Sequence, residues 1–173
     1  MQLASRLEKN INKQAAVAIA TEIIQNEALF TELWATIRTG EPPLPRRAAW
    51  VLESVVARAP WLWQRIYDEA VEVIQEEQHH GAIYRNLMKL FAEQAVPERH
   101  ESFLYDLALQ WVLLPQKPVA VRAQALSLAA KIAAPIPELR EEVLLVLQEI
   151  LEWGEAAIQS RGKKIGKRFS KRS

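Results

Sequence analysis

The chain has 173 residues, a formal net charge of +1 at pH 7 and no cysteine. The length suits one domain or a stack of three to four helix pairs, and the lack of cysteine excludes disulfide bonds and thiolate chemistry. Half of the residues are apolar, only 5 are glycine, and most of the 9 prolines separate apolar segments. This composition is typical of long helices joined by abrupt turns.

Apolar residues at helical spacing, punctuated by proline and glycine, predict nine helices. In chain order they are expected at 3–11, 14–24, 26–38, 44–58, 62–77, 81–94, 99–114, 118–133 and 136–153. The connections between them are short, so we expect consecutive helices to pack antiparallel. The apolar run at 15–20 is too short to span a bilayer, which favours a cytoplasmic protein with no membrane partner.

The last two predicted helices differ in their apolar pattern. Apolar residues wrap nearly the whole circumference of 118–133, which predicts a helix buried between neighbours. The helix at 136–153 has one apolar face and one face rich in glutamate, so we expect it to lie on the outside and close the stack.

Three arginines stand at the start of apolar helical segments, and the spacing between them is nearly constant. Arg46, Arg85 and Arg122 are separated by 39 and 37 residues. A period of this size is typical of stacked helix pairs, each of which needs its neighbours to bury its apolar face. The sequence therefore predicts an all-α repeat fold.

The charges are unevenly distributed along the chain. Seven of the 22 basic residues and none of the 21 acidic ones fall within 161–173, which leaves residues 1–160 with a net charge of −6. We therefore expect a single domain over residues 1–160 and a basic, flexible C-terminal tail over 161–173. The basic residues of the tail are Arg161, Lys163, Lys164, Lys167, Arg168, Lys171 and Arg172.

Two stretches resemble HEAT repeats. One runs from Leu29–Trp34 through a proline-bearing turn to Pro45–Leu52, and the other from Phe103–Trp111 to Pro118–Leu126. In this family the second helix of each pair begins with a Val-Arg-like step followed by small and large apolar residues. The resemblance implies three units, at 26–58, 62–94 and 99–133.

The HEAT resemblance also implies a fold and a binding surface. The implied fold is a short right-handed α-α superhelix of antiparallel helix pairs, whose second helices line the concave side. That side would expose Arg47, Arg85 and Lys89 to a partner. The alternative is that such arginines cap turns and pair with acidic residues of adjacent helices.

Six tryptophans are many for this length, and two of them are candidate partner-binding anchors. Trp61 and Trp63 stand two residues apart at a helix start, so they cannot share a face. At least one of them should be partly exposed. The alternative is that both fill gaps where helix pairs meet.

The sequence offers little catalytic or metal-binding chemistry. It has no cysteine nucleophile and no Gly-x-Ser-x-Gly motif. The segment 76–80 places glutamate and histidine three residues apart twice, but a di-metal site needs a second such motif on another helix. We expect no metal, no cofactor and no catalytic residue.

Three functions remain open from the sequence. The first is a non-enzymatic protein-interaction scaffold. The second is nucleic-acid binding through the basic tail and the second-helix arginines, which the net charge of −6 opposes unless basic residues gather on one face. The third is DNA glycosylase activity, since alkylpurine DNA glycosylases are similar in architecture and tryptophan content, although this chain has only Asp68 and Asp106. Exposed ends of a short stack could also pair into a homodimer.

Overall fold

The computed structural model describes residues 3–9, 11–76 and 78–171. Within these residues the chain forms ten helices and no strand, so the all-α prediction is confirmed. The helices are α1 (Leu3–Leu7), α2 (Lys13–Ile24), α3 (Glu27–Thr39), α4 (Leu44–Val56), α5 (Pro60–Gln75), α6 (Gly81–Glu93), α7 (Glu98–Val112), α8 (Val119–Ala133), α9 (Pro137–Trp153) and α10 (Ala156–Ser170). None of them is long and apolar enough to cross a membrane.

The chain divides into two compact units, Met1–Leu87 and Met88–Ser173, with the boundary inside α6. In the first unit α4 is central, because it packs against α1, α2, α3 and α5. Polar contacts join the first helices of successive pairs: Trp34 on α3 donates from Nε1 to Oε2 of Glu69 on α5 (2.9 Å), and Arg38 pairs with the same carboxylate. Successive pairs in this unit are therefore tied side by side along their first helices.

In the second unit the central element is α8, which packs against α7, α9 and α10. Ten of its 15 residues are buried, as the apolar pattern around its circumference predicts. Its alanines carry little side-chain bulk, so three neighbouring helices can approach it closely. On α7, Tyr105 donates to Oε2 of Glu142 on α9 (2.8 Å), which repeats the first-helix contact seen in the other unit.

The prediction of a flexible tail from residue 161 is wrong. Residues 156–170 form α10, which packs against α8 and α9 and buries Ile158, Ile165 and Phe169. These three residues lie at i, i+7 and i+11, so they share one face of the helix. The predicted boundary at residue 160 therefore lies inside a helix, and α9 is the first helix of a further pair instead of a closing helix.

Candidate interaction surfaces

Acidic and basic residues separate between the two helices of every pair after the first, α1–α2. The first helices of the pairs, α1, α3, α5, α7 and α9, carry 13 acidic and 5 basic residues. The second helices, α2, α4, α6, α8 and α10, carry 3 acidic and 12 basic residues. Within residues 1–160, whose net charge is −6, the second helices carry 7 basic and 3 acidic residues, and the other five basic residues belong to α10. Counting charges along the chain missed this separation, which emerges only when they are counted helix by helix.

In the first unit a groove of about 310 Å³ lies between α4 and the start of α6; we name it the arginine groove. It is lined by Ile11, Arg46, Arg47, Trp50, Ala82, Arg85 and Asn86. No carboxylate is among these lining residues. The groove therefore combines three positive charges with an aromatic ring and has no acidic side chain in its wall.

Helical spacing and one buried amide position the side chains of the arginine groove. Arg46 and Trp50 are four residues apart on α4 and so share a face. Asn86 on α6 is buried; with its amide nitrogen towards α4 it donates to Oε1 of Glu53 (2.7 Å), and its oxygen accepts from the Trp50 backbone nitrogen (3.2 Å). This amide holds α6 against α4 and so places Arg85, the preceding residue, at the groove.

The three arginines of the groove have different surroundings. Arg47 donates from Nη1 to the carbonyl oxygens of Leu7 and Glu8, at 2.7 Å each, and so caps the end of α1. Arg46 and Arg85 are exposed, and neither forms a hydrogen bond or an ion pair in the part of the chain that the structure describes. Two guanidinium groups are therefore available to an anionic ligand beside Trp50, whose exposed fraction is 37%.

A second cavity of the first unit adjoins the arginine groove. Its volume is about 470 Å³, and Arg46 lines both cavities. Its apolar wall consists of Ile37, Pro42, Pro43, Pro45 and Ile83. A ligand bound at Arg46 could therefore place an apolar group against this wall, which we name the proline pocket.

In the second unit, α10 and the residue that follows it present a row of exposed lysines; we name Lys163, Lys164, Lys167 and Lys171 the α10 lysine face. The predicted tail arginines differ from these lysines. Arg161 is half-buried and donates to Oε1 of Gln124 (3.2 Å) and to Oγ of Ser127 (2.6 Å). The guanidinium carbon of Arg168 lies 5.3 Å from the centre of the Phe169 ring. Arg172 lies outside the described residues.

Comparison with known families gives one match: a sequence model of the HEAT repeat domain matches residues 3–169. This chain belongs to the HEAT repeat family. The predicted resemblance is therefore confirmed, and the match includes almost all of α10. No curated protein and no solved structure matches the chain at a comparable significance. HEAT repeats generally serve as scaffolds for protein interactions.

The two tryptophans predicted as partner-binding anchors of this HEAT protein have opposite environments in the structure. Trp63 is fully buried, with its ring edge-on to Tyr67 at 5.4 Å between centres, so its prediction as a partner-binding residue is wrong. Trp61 is 59% exposed, as the two-residue spacing requires of at least one of the pair. It does not line the arginine groove. Lys89, four residues after Arg85 on α6, is half-buried and lies outside the groove lining as well.

The basic residues of α8, the second helix of its pair, form hydrogen bonds with backbone carbonyl groups within the HEAT domain. Arg122 is fully buried and donates from Nε to the carbonyl of Val112 (3.0 Å). Lys131 donates from Nζ to the carbonyl oxygens of Phe91 (3.4 Å) and Gln94 at the end of α6. Burial lowers the pKa of Lys131. Both cations therefore satisfy backbone carbonyls at helix ends.

The glutamate–histidine segment before α6 is a hydrogen-bonded turn. His79 Nε2 lies 2.8 Å from Oε2 of Glu76, and His80 Nδ1 accepts from the backbone nitrogen of Ala82 (3.0 Å) at the start of α6. Hydrogen bonds from Gln78 and His79 lower the pKa of Glu76. Among the described residues, which exclude position 77, no group of histidine and carboxylate side chains could hold a metal ion.

Proposed function

We propose that this HEAT-repeat protein is a non-enzymatic binding module that holds an acidic segment of a partner protein in the arginine groove. One observation carries the proposal: Arg46 and Arg85 project from two successive second helices, lack partners among the described residues and flank the exposed Trp50. Arginine binds carboxylates through two parallel hydrogen bonds, which gives geometric specificity as well as attraction.

The side-chain composition of the groove favours a protein ligand. Tryptophan and arginine are enriched among the residues that dominate binding energy in protein interfaces, whereas lysine is depleted there. The groove contains arginine and tryptophan and no lysine. The adjoining proline pocket would accept an apolar side chain of the same segment, so the partner chemistry that fits is a pair of carboxylates next to an aliphatic or aromatic residue.

The positions of the aspartates support a binding module over a glycosylase. Asp68 on α5 and Asp106 on α7 are exposed, belong to different units and stand on first helices. Neither lines the arginine groove. A concave tryptophan with an adjacent aspartate, which a glycosylase of this architecture would need, has no counterpart beside Trp50.

The experiment compares two double variants that change the net charge equally. Arg46→Gln with Arg85→Gln removes the two unpaired guanidinium groups of the groove. Arg58→Gln with Arg65→Gln removes two exposed arginines of the same unit that lie outside the groove. Proteins retained by immobilised wild type and by each variant are identified by mass spectrometry.

An acidic segment of the retained partner is then synthesised and titrated against all three proteins. We expect the groove variant to bind it at least about tenfold more weakly than wild type, which corresponds to about 1.4 kcal/mol, and the control variant to bind like wild type. Equal binding by the two variants would contradict the proposal. Unchanged circular dichroism and thermal midpoints would show that the variants are folded.

A further inference from the structure

The α10 lysine face is a concentrated positive surface on the second unit. α10 contains no acidic residue. Its three lysines and Lys171, which follows the helix, are exposed, and none of the four forms a hydrogen bond or an ion pair within residues 78–171. The nearest glutamate along the chain, Glu155, already pairs with the buried Arg122 at 2.8 Å. The positive charge of this helix is therefore not neutralised by its own helix or by the turn before it.

The lysines are arranged along one side of the helix. Lys163, Lys167 and Lys171 are four residues apart, so they form a stripe about 12 Å long at 1.5 Å of rise per residue. That length equals three to four nucleotide steps at about 3.4 Å per step in one strand of B-DNA. Lys164, which follows Lys163 in the chain, lies to one side of this stripe.

The acidic residues of α9 do not interrupt this surface. Two shallow grooves flank the stripe, one with Lys163, Lys164 and Lys167 in its wall and the other with Lys163 and Lys167. The other lining residues of both grooves are apolar or uncharged. The glutamates of α9 are exposed but line neither groove.

We propose that the α10 lysine face binds the phosphate backbone of nucleic acid without reading its sequence. Lysine acts as a point charge that suits phosphates, and contacts to phosphates position a protein without carrying sequence information. Of the two arginines of α10, Arg161 is occupied by Gln124 and Ser127, whereas Arg168 is exposed beside the Phe169 ring and adds to the positive charge of this surface. The site is distinct from the arginine groove, which belongs to the other unit.

Two other acidic ligands fit this face less well. A membrane surface would need an apolar face that inserts beside the lysines, but Ile158, Ile165 and Phe169 are buried against the neighbouring helices, and of the three leucines in the wall of one flanking groove only Leu144 and Leu151 reach solvent. A protein interface would be expected to be rich in aromatic and arginine side chains, whereas the exposed cations of this surface are four lysines and one arginine, Arg168. A regularly spaced polyanion is the ligand that matches a row of lysines.

The test uses the full chain and a fluorescently labelled duplex of random sequence, titrated by anisotropy from low to physiological salt. The first variant combines Lys163→Gln, Lys164→Gln and Lys167→Gln, and a second replaces the same three lysines by arginine. The third is the groove variant, Arg46→Gln with Arg85→Gln. Matched titrations use polyglutamate and phosphatidylserine vesicles in place of the duplex.

We expect wild type to bind the duplex at low salt and to lose affinity steeply as salt rises. Each lysine that contacts a phosphate contributes up to about 0.9 to the slope of log affinity against log salt, so the glutamine variant should lose up to about 2.7 of that slope and bind at least about tenfold more weakly at low salt. The arginine replacements and the groove variant should bind like wild type.

Three outcomes would overturn the proposal. The first is no binding of wild type at low salt, and the second is unchanged binding by the glutamine variant. The third is binding of polyglutamate or of the vesicles as tight as that of the duplex. If the groove variant binds the peptide as tightly as wild type does, while the lysine variants behave as expected with the duplex, only the proposed function fails, so the two proposals can fail separately.

Discussion

Arg122 and Glu155 form an ion pair of 2.8 Å in which the arginine side chain is fully buried and the glutamate side chain is 56% exposed. The pair joins the middle of the second unit, α8, to the turn between α9 and α10. Arg122 also donates to Val112 at the end of α7, and the Trp153 ring centre lies 4.7 Å from its guanidinium carbon. The side chain of Arg122 thus connects α8 to the end of α7 and to the turn between α9 and α10.

The first prediction concerns the free energy of unfolding of Arg122 variants. Arg122→Ala should destabilise the protein by about 3 kcal/mol, because it leaves a cavity and removes two hydrogen bonds to buried or ordered groups. Arg122→Met should cost less than half of that, since it fills the space with an apolar chain. Nη2 of Arg122 is buried without a hydrogen-bond partner in the described part of the chain, so methionine loses little there. Urea unfolding measures both variants, and equal losses would show that the lost hydrogen bonds, and not the loss of packing, account for the effect.

The second prediction compares two glycines of α10 that face the same leucine. A Cβ at Gly162 would lie 3.1 Å from Cδ2 of Leu147, whereas a Cβ at Gly166 would lie 3.8 Å from Cδ1 of that residue, an ordinary contact. Replacing a helical glycine by alanine gains about 1 kcal/mol in propensity. Gly166→Ala should therefore raise the thermal midpoint, and Gly162→Ala should raise it less or lower it. A larger gain at Gly162 would contradict the close approach of α9 to α10.

The third prediction concerns the ionisation of Tyr105. Burial, followed by its hydrogen bond to Glu142, raises the pKa of Tyr105 above that of a free tyrosine. Since the unfolded pKa is about 10, the stabilising effect of the protonated phenol is complete below that pH and is lost as the pH rises towards the folded value. In an ultraviolet titration, Tyr105→Phe should lose one phenol, relative to wild type, from the absorbance change that occurs above the pH at which free tyrosine ionises.

The fourth prediction tests the role of α10 in the core. Phe169→Ala should destabilise the protein by about 3 kcal/mol or more, because Phe169 is 1% exposed and its loss leaves a cavity. Lys167→Ala, two residues earlier and exposed, should change the unfolding free energy by no more than about 0.5 kcal/mol. Chemical denaturation distinguishes the two. A negligible effect of Phe169→Ala would show that residues 161–171 do not pack as described.

The helical pattern was predictable from the sequence because apolar residues recur at helical spacing in all but one of the ten helices. The burial of α8 followed from alanines around its circumference, and the opposite environments of Trp61 and Trp63 followed from their spacing. α10 was missed because its apolar positions, chiefly Ile158, Ile165 and Phe169, are widely spaced among lysines. The partners that bury them lie on α8 and α9.

The roles of the arginines could not be read from the sequence, because each role depends on what the fold places nearby. Arg46 and Arg47 are neighbours in the chain, yet Arg47 donates to the carbonyl oxygens at the end of α1, whereas Arg46 forms no hydrogen bond with any described residue. Arg122 matches Arg46 and Arg85 in the repeat period but is buried beneath Trp153. The separation of charge between first and second helices required the pairing of the helices to be known.

The most direct test of the central claim, that the arginine groove holds an acidic partner segment, is site-specific photo-cross-linking. A photoreactive phenylalanine analogue replaces Trp50 in one protein and Trp61, which is exposed in the same unit but outside the groove, in another. We expect adducts from position 50 that map to an acidic segment of a different protein, and few adducts from position 61. Equal adducts from both positions, or adducts from position 50 only to a second copy of this chain, would contradict the claim.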